Sequence, residues 1–319
     1  MIAITVALLW LSLRGIAVGE GEDRMSILWG AWEKADKGYL MLMAVVMMIS
    51  HVLRAVRWQM LLKPAGYNIT LKDSFLSVMI GYLVNLAIPR GGEVSRCYNL
   101  FKLGNTPVEV SFGTVVVERL VDLLCLLLLV VLSFFIEWDK LMGFLATLNM
   151  PSGSFTVSPL LLIAVAVAVG FAALIYAFRN NPKLRKLWTG FREGMLAVFR
   201  MENKFLFIFH SIVIWLLYFG MSYTVMLAFD QTASLGLRAV MSIFALGAIA
   251  MAAPLPGGAG SYHVLLPLGL TTLYQLPNAD AVAFVFIFHA WQTFVLIVAG
   301  LASLVVSYWL IRWKRPAIK

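Results

Sequence analysis

Charged residues occur in three short groups inside or beside strongly apolar segments of this 319-residue chain. The groups are His51, Arg54 and Arg57; Arg90, Glu93 and Arg96; and Glu118, Arg119 and Asp122. A guanidinium group binds the oxygens of a phosphate in a bidentate manner, so several arginines together are typical of a phosphate site. The accompanying carboxylates could bind an amine. The three groups therefore indicate a polar site for a phosphate-bearing ligand, and the apolar segments must position it.

The spacing of the charges leaves two interpretations open. Glu118 and Asp122 are four residues apart, and Arg119 is three residues before Asp122, so all three lie on neighbouring faces of one helix. An ion-pair network that holds helices together and direct contact with a substrate both explain this pattern. Glu93 and Arg96 would share one face if the segment after the glycines is helical.

The group at residues 51–58 is divided in the same way. Arg57 and Trp58 are interpreted as interfacial anchors, with the arginine extending toward the headgroups. For Arg54 the anchoring and the functional interpretations are equally open. Charged side chains at membrane depth cost several kcal/mol, so those inside spans are treated as functional candidates.

The composition is that of an integral membrane protein. The chain is 61% hydrophobic and only 13% charged, and its mean hydropathy is +0.89, whereas soluble domains are about 25% charged. The net charge of +9 is therefore assigned to cytoplasmic loops near anionic headgroups rather than to nucleic-acid binding. The polar stretches 14–38 and 179–204 are too short for separate domains, which predicts one membrane domain over 1–319.

Apolar stretches and loop charges predict an all-α polytopic architecture. The apolar stretches are 1–13, 39–56, 74–89, 112–136, 157–178, 204–229, 239–255, 262–274 and 281–311. A span needs about 20 apolar residues, and 39–56, 112–136, 157–178 and 204–229 are near that length. The stretch 281–311 is long enough to span with tilt. The loops 57–72 and 179–204 and the C-terminal tail are basic, so they are expected in the cytoplasm. They share a side only if 74–89 and 239–274 are re-entrant hairpins, which gives about six crossings.

The two proposed hairpins resemble each other. Residues 86–96 read "LAIPRGGEVSR" and residues 252–262 read "AAPLPGGAGSY", with glycines 81 and 247 at the same upstream offset. Three predicted crossings separate the two breaks, so the second copy is inverted. The halves run over about 39–136 and 204–311 and are joined by 137–203. Broken apolar segments in corresponding halves are typical of the central site of a transporter, whereas a single break would be read as a surface turn.

Four motifs together resemble the lysylphosphatidylglycerol synthase transmembrane region, a flippase-like family that forms the membrane half of the bacterial multiple peptide resistance factor. They are "LRAVRWQMLL", "GYLVNLAIPRGGEVSR", "VVVERLVDLL" and "PLPGGAGSYHVLL". The resemblance covers about residues 40–311. It implies lipid handling, which in the resistance factor is movement of an aminoacylated phospholipid between leaflets and in some archaeal relatives concerns polyprenyl-phosphate-linked sugars.

The resemblance also implies a set of substrate-binding residues, to which the charge pattern adds Arg54 and the glycine break adds Gly91. The implied set is Asn85, Arg90, Gly92, Glu93, Arg96, Glu118, Arg119, Asp122, Pro256, Gly257, Gly258 and Gly260. Because the chain ends at Lys319, no aminoacyl-transferase domain is expected, and neither is synthesis of lysylphosphatidylglycerol. Ser261, Tyr262 and His263 follow the last glycine, where the family often has a charged or longer residue.

The leading prediction is a lipid translocase in the cell (inner) membrane with a cytoplasmic C-terminus. Its substrate would be a phospholipid or a polyprenyl-phosphate-linked lipid, held between the two broken hairpins. A membrane enzyme acting on lipid phosphates and a gradient-driven small-solute transporter stay open as alternatives. No metal, ATP or other cofactor is expected, because the sequence has no GxxxxGK[ST], HxxxH or HExxH pattern. A homo-oligomer and a separate lipid-modifying enzyme are the further partners considered.

Overall fold

The computed structural model of the chain describes residues 7, 9–13, 23–147, 181–252 and 259–314, and its regular structure in these ranges is entirely helical. The helices are α1 (Arg24–Lys34), α2 (Lys37–Leu62), α3 (Leu71–Ala87), α4 (Gly91–Gly104), α5 (Val108–Ile136), α6 (Trp138–Thr147), α7 (Pro182–Leu196), α8 (Lys204–Leu227), α9 (Asp230–Ala233), α10 (Gly236–Ala252), α11 (Ser261–Tyr274) and α12 (Asn278–Lys314).

Four of the described helices, α2, α5, α8 and α12, are long and apolar enough to cross a membrane. They correspond to the stretches 39–56, 112–136, 204–229 and 281–311 predicted from the sequence. The side of α5 that faces away from the other helices carries exposed Leu124, Leu128 and Phe135, as a lipid-facing surface requires. The predicted span 157–178 lies outside the described residues, as does most of 1–13.

The two basic loops meet at one end of the protein, which we call the basic end. The Lys63 Nζ lies 3.6 Å from a carboxylate oxygen of Glu202. Beside this pair, Ala65, Val110 and Ala197 form a small buried cluster. The loops 57–72 and 179–204 therefore lie at the same end, as the charge argument requires.

The α3–α4 pair is a helical hairpin whose two ends both lie at the basic end. Ala65 precedes α3 in the chain and Val110 follows α4, and these two residues pack in the same cluster. The α10–α11 pair is arranged in the same way at the opposite end. There the Phe229 ring, before α10, lies 5.3 Å from the Phe284 ring, after α11.

Close packing of two glycines holds the α3–α4 hairpin together. A Cβ added to Gly92 would lie 2.1 Å from the carbonyl oxygen of Gly81, so only glycine permits this approach of the two backbones. The Asn85 Oδ1 accepts a hydrogen bond from the Gly92 amide at 2.7 Å, which satisfies one of the free donors at the start of α4. At the break itself, Arg90 has the left-handed backbone conformation, with a φ of 64°.

The contacts between helices form matching pairs across the two halves of the chain. The two helices that precede the hairpins, α2 and α8, pack on each other. The α3–α4 hairpin packs on α12, and the α10 limb of the second hairpin packs on α5. Each hairpin therefore contacts the spanning helix that follows the other hairpin.

The polar stretch 179–204 contains a helix that the sequence analysis did not anticipate. Helix α7 packs on the beginning of α5, where a Cβ on Gly194 would lie 2.1 Å from the carbonyl oxygen of Val110. The charge pattern of this stretch predicts only a basic loop, because the charges outnumber the few apolar residues of the helix face. A pair of glycines four residues apart, Gly190 and Gly194, was the available sign of helix packing.

Candidate functional site

Three spanning or hairpin helices bring their charges together around Glu118, a fully buried residue of α5. The Arg54 Nη1 donates to its carboxylate at 2.5 Å, and the Arg96 Nη2 donates to it at 3.2 Å. The Arg57 Nη2 lies 3.5 Å from the same carboxylate. Glu118 thus ties α2 and α4 to α5, and its surroundings leave no room for a ligand.

Asp122 lies one turn further along α5 and also accepts from two arginines of α2. The Arg54 Nη1 and the Arg57 Nη2 each donate to it at 2.8 Å. Arg54 is held further by the Tyr218 hydroxyl of α8, which accepts from its Nη2 at 2.8 Å. Four helices therefore share this network, and each buried guanidinium has carboxylate partners, as buried charges require.

The interpretation of Arg57 and Trp58 as interfacial anchors is wrong. Both side chains are completely buried, and the Trp58 ring lies 4.7 Å beneath the guanidinium of Arg96. The Trp58 indole N–H donates to the Thr114 hydroxyl at 2.9 Å. The physical reason is that α2 places Arg54 and Arg57 one turn apart on its inner face, where the α5 carboxylates neutralise both.

Arg119 differs from the other arginines because its side chain is 36% exposed. Its Nε lies 3.3 Å from a carboxylate oxygen of Glu93 on α4, and its Nη1 lies 3.7 Å from Asp122. The contact with Asp122 is long and is shared with Arg54 and Arg57, and the pair with Glu93 is partly exposed. Arg119 is therefore the most accessible cation of the cluster for a ligand.

The cluster carries an excess of one positive charge. Its members are Arg54, Arg57, Arg96 and Arg119 against Glu93, Glu118 and Asp122. In a low-dielectric surrounding, the attraction between this excess charge and an anion is stronger than in water. The cluster is therefore complementary to an anion bound next to Arg119.

A cavity of about 400 Å³ opens beside the cluster. One wall is polar, with the side chains of His51, Arg54, Tyr82, Arg119 and Asp122. The other walls are mostly apolar and aromatic and come from the second half of the chain, including residues of α8, α10, α11 and α12. The cavity is thus amphipathic, and both halves of the chain contribute to it.

The structure brings six of the predicted site residues into this arrangement and separates others from it. The six are Arg54, Glu93, Arg96, Glu118, Arg119 and Asp122. Arg90 is exposed at the hairpin break and, among the described residues, has no ion pair with the cluster. Asn85, Gly91 and Gly92 form the break itself, where they shape the hairpin.

The second glycine motif is described only from residue 259 onward. Pro256, Gly257 and Gly258 lie outside the described residues. Gly260 is buried before α11 with a φ of 100°, and its amide donates to the Nδ1 of His263 at 3.4 Å. The His263 ring lies 4.7 Å from the ring of His289, and His289 reaches the cavity wall.

Comparison with known proteins identifies the family of the chain. The family model described as "Lysylphosphatidylglycerol synthase TM region" matches residues 1–300. The chain belongs to this family. No solved structure matches the chain significantly. In the described ranges, no group of three His, Cys, Asp or Glu residues is arranged to hold a metal ion.

Three proteins to which the chain is similar come from archaea. A UPF0104 membrane protein of Methanothermobacter thermautotrophicus is 25% identical over 305 residues, which are 89% of this chain and 88% of the relative. A UPF0104 membrane protein of Methanocaldococcus jannaschii is 37% identical over 87 residues, 26% of either chain. Glycosyltransferase AglD of Haloferax volcanii is 27% identical over 308 residues, covering 85% of this chain and about half, 49%, of the relative.

Sequence reasoning missed one arginine of the network and most of the residues that line the cavity. Arg57 belongs to the network, and Tyr82, Trp215 and Tyr218 line the cavity. The spacing of three between Arg54 and Arg57 was a sufficient sign, since it places both on one helix face. The aromatic residues gave no sign, because aromatic residues are frequent throughout apolar helices.

Proposed function

We propose that this protein is a lipid translocase that moves a phospholipid or a polyprenyl-phosphate-linked lipid between leaflets. The observation that carries the proposal is the amphipathic cavity, whose polar wall holds an excess positive charge at the half-exposed Arg119. A lipid phosphate would bind next to Arg119, and the apolar walls would accept the first part of the lipid tail. A small soluble anion would make no use of these walls.

The membrane arrangement is part of the same proposal. We infer that the α3–α4 and α10–α11 hairpins are re-entrant and enter from opposite sides, within a protein of about six crossings. The return of each hairpin to its starting end supports this inference, and so do the matching contacts of the two halves. Together they fit an inverted repeat with a central site. The basic end is assigned to the cytoplasm of a cell membrane by its lysines and arginines.

The roles of the charged residues follow from their burial. Glu118, with its three arginine neighbours, holds α2, α4 and α5 in register and does not contact the lipid. Arg119 binds the phosphate and exchanges Glu93 for it, because its ion pair with Glu93 is long and partly exposed. Asp122 lies at the cavity wall, where its carboxylate can accept an amine of a zwitterionic or aminoacylated headgroup.

The test is a translocation assay with purified protein in liposomes that contain headgroup-labelled fluorescent phospholipids. Access of dithionite to inner-leaflet label is measured for wild type, Arg119→Gln and Arg238→Gln. Arg238 is an exposed cation at the start of α10, away from the cavity, and is the matched control. We expect wild type and Arg238→Gln to accelerate the loss of fluorescence, and Arg119→Gln to slow it about 10-fold or more, the effect of one charged hydrogen bond.

Equal rates in wild-type and empty liposomes, for phosphatidylglycerol, phosphatidylethanolamine and a polyprenyl phosphate, would contradict the proposal. Equal acceleration by wild type and Arg119→Gln would retain translocation but remove Arg119 from it. Uptake of soluble phosphate into the same liposomes would instead favour a small-solute transporter.

A second candidate is a membrane enzyme that acts on lipid phosphates or lipid-linked sugars. It is favoured by the name of the Haloferax volcanii relative, a glycosyltransferase, of which the match covers 49%. Mass spectrometry of the liposome lipids after the assay separates the two candidates. New lipid species that depend on the protein would support the enzyme, whereas translocation of unchanged lipid supports the translocase.

A further inference from the structure

His51 is a buried residue of α2 that lies one turn before Arg54 at the polar wall of the cavity. Only 4% of it is exposed, and its ring packs against Tyr82, with ring centres 4.4 Å apart. Neither of its ring nitrogens has a hydrogen-bond partner among the described residues. This is the one titratable side chain of the cavity's polar wall, in the described part of the chain, with both polar atoms unsatisfied.

An unsatisfied buried polar group destabilises the folded protein, so its presence calls for a physical explanation. The position would be better filled by phenylalanine if the ring only packed against Tyr82. A ligand in the cavity removes the cost by supplying the missing acceptor. The imidazole presents at least one N–H donor whichever nitrogen carries the proton, and a phosphate oxygen is a strong acceptor for it.

We propose that His51 is a substrate-binding residue. It donates a hydrogen bond to the same phosphate that Arg119 of α5 binds. The proposal rests on the proposed function and adds to it a second ligand for the phosphate. His51 lies on α2 and Arg119 on α5, and both line the same cavity. The phosphate would then be bound from two helices. Arg119 would neutralise its charge, and the hydrogen bond from His51 would fix its orientation.

The structure offers a matched control histidine. His210 of α8 lies in a spanning helix as His51 does, but its Nδ1 is bonded to the carbonyl of Leu206 at 2.7 Å and it is absent from the cavity wall. The compared variants are therefore His51→Phe, His51→Gln and His210→Phe. Phenylalanine keeps the ring contact with Tyr82 and removes both nitrogens, whereas glutamine retains an N–H donor.

The experiment measures thermal unfolding of the delipidated protein in detergent, alone and with a titrated probe. The probes are dihexanoylphosphatidylglycerol and inorganic phosphate, which separate a lipid phosphate from a free one. Stabilisation by a ligand that binds only the folded state gives its apparent Kd. Without probe, His51→Phe should unfold at the wild-type temperature or higher, because it loses no hydrogen bond made within the described residues.

With the lipid probe, His51→Phe should bind about 10- to 100-fold more weakly than wild type, the effect of losing a hydrogen bond to a charged group. His51→Gln should recover part of the loss, and His210→Phe should bind as wild type does. Wild-type binding of the lipid probe but not of inorganic phosphate would identify the lipid as the source of the phosphate. The same loss with both probes would support His51 as a ligand of either.

Two results would overturn the inference. Equal affinity of wild type and His51→Phe would remove His51 from the site, and a fall in unfolding temperature without probe would assign it a structural role. These outcomes differ from failure of the translocase proposal. If wild type binds the lipid probe with the predicted dependence on His51 but moves no lipid in liposomes, the translocase is wrong and the phosphate site stands.

Discussion

Substitutions of Arg57 and Asp122 should have non-additive effects on the free energy of unfolding, because the two side chains form a buried ion pair. Asp122→Asn removes the carboxylate that accepts from both Arg54 and Arg57 at 2.8 Å. Arg57 has no exposed surface, and its next carboxylate, Glu118, is 3.5 Å away and already shared with two other arginines. Leaving a buried charge without its partner costs about 3–5 kcal/mol, and we expect this loss in the free energy of unfolding.

Arg57→Met should cost less than Asp122→Asn. Asp122 keeps Arg54 at 2.8 Å and Arg119 at 3.7 Å after the change, so no carboxylate is left unpaired. Methionine fills a similar apolar volume, and the cluster becomes neutral. In the double variant the excess of one positive charge is the same as in wild type. The double variant should therefore be more stable than the sum of the two losses predicts, by about 1–3 kcal/mol.

Reversible unfolding in mixed micelles, by titration with a denaturing detergent, measures the four proteins of this double-mutant cycle. The control is Lys63→Met, which removes an exposed pair whose side chains are 67% and 87% exposed and should change stability by less than about 1 kcal/mol. Additive losses in the cycle would refute the coupling. A loss for Asp122→Asn as small as that for Lys63→Met would refute the argument from burial.

Three further changes, with Gly220→Ala as a control for the first, test the packing and the exposed cation. Gly92→Ala places a methyl group 2.1 Å from a carbonyl oxygen of α3 and should destabilise by about 1–3 kcal/mol. Gly220→Ala in the spanning helix α8 meets no atom within 4 Å and should stabilise by up to about 1 kcal/mol; equal effects in micelle unfolding would contradict the hairpin packing. Gly194→Val should move α7 off α5, because even a Cβ would lie 2.1 Å from the Val110 carbonyl; limited proteolysis within 182–196 should become faster, and an unchanged pattern would argue against this contact. Arg119→Gln should change the free energy of unfolding by less than about 1 kcal/mol, because the Arg119 side chain is 36% exposed; a loss above about 3 kcal/mol would place Arg119 in the structural network instead.

The positions of the spanning helices could be predicted from the sequence because burial in lipid acts on each helix separately. Residues 112–136 contain one strongly apolar run, and the observed helix, Val108–Ile136, extends it by four residues at its start. The stretch predicted at 204–229 is observed as the helix Lys204–Leu227, which begins at the predicted residue and ends two residues earlier. The glycine break at 91–92 was also visible, since proline and paired glycines end a helix for local reasons.

Loop charge was informative for the same reason. The basic character of 57–72 and 179–204 required both loops to lie on one side, and the Lys63–Glu202 contact places them together. The helix α7 within the second loop was not predicted, because its packing on α5 depends on the fit of Gly190 and Gly194 to a neighbouring helix. Such a fit is a property of two surfaces and is weakly marked in either sequence.

The sequence by itself determined that this is a helical membrane protein and where four long apolar helices of its described part lie. It also marked Arg54, Glu93, Arg96, Glu118, Arg119 and Asp122 as charges that need partners. Only the tertiary structure decided the partners. Arg57, which the sequence places at the membrane interface, is buried beside Asp122. Arg90 is exposed at the break. The tertiary structure also separated Glu118, enclosed by arginines, from Arg119, which faces the cavity. The physical reason is that desolvation and Coulomb attraction depend on distances between atoms of different helices, and these distances are fixed only when the helices pack.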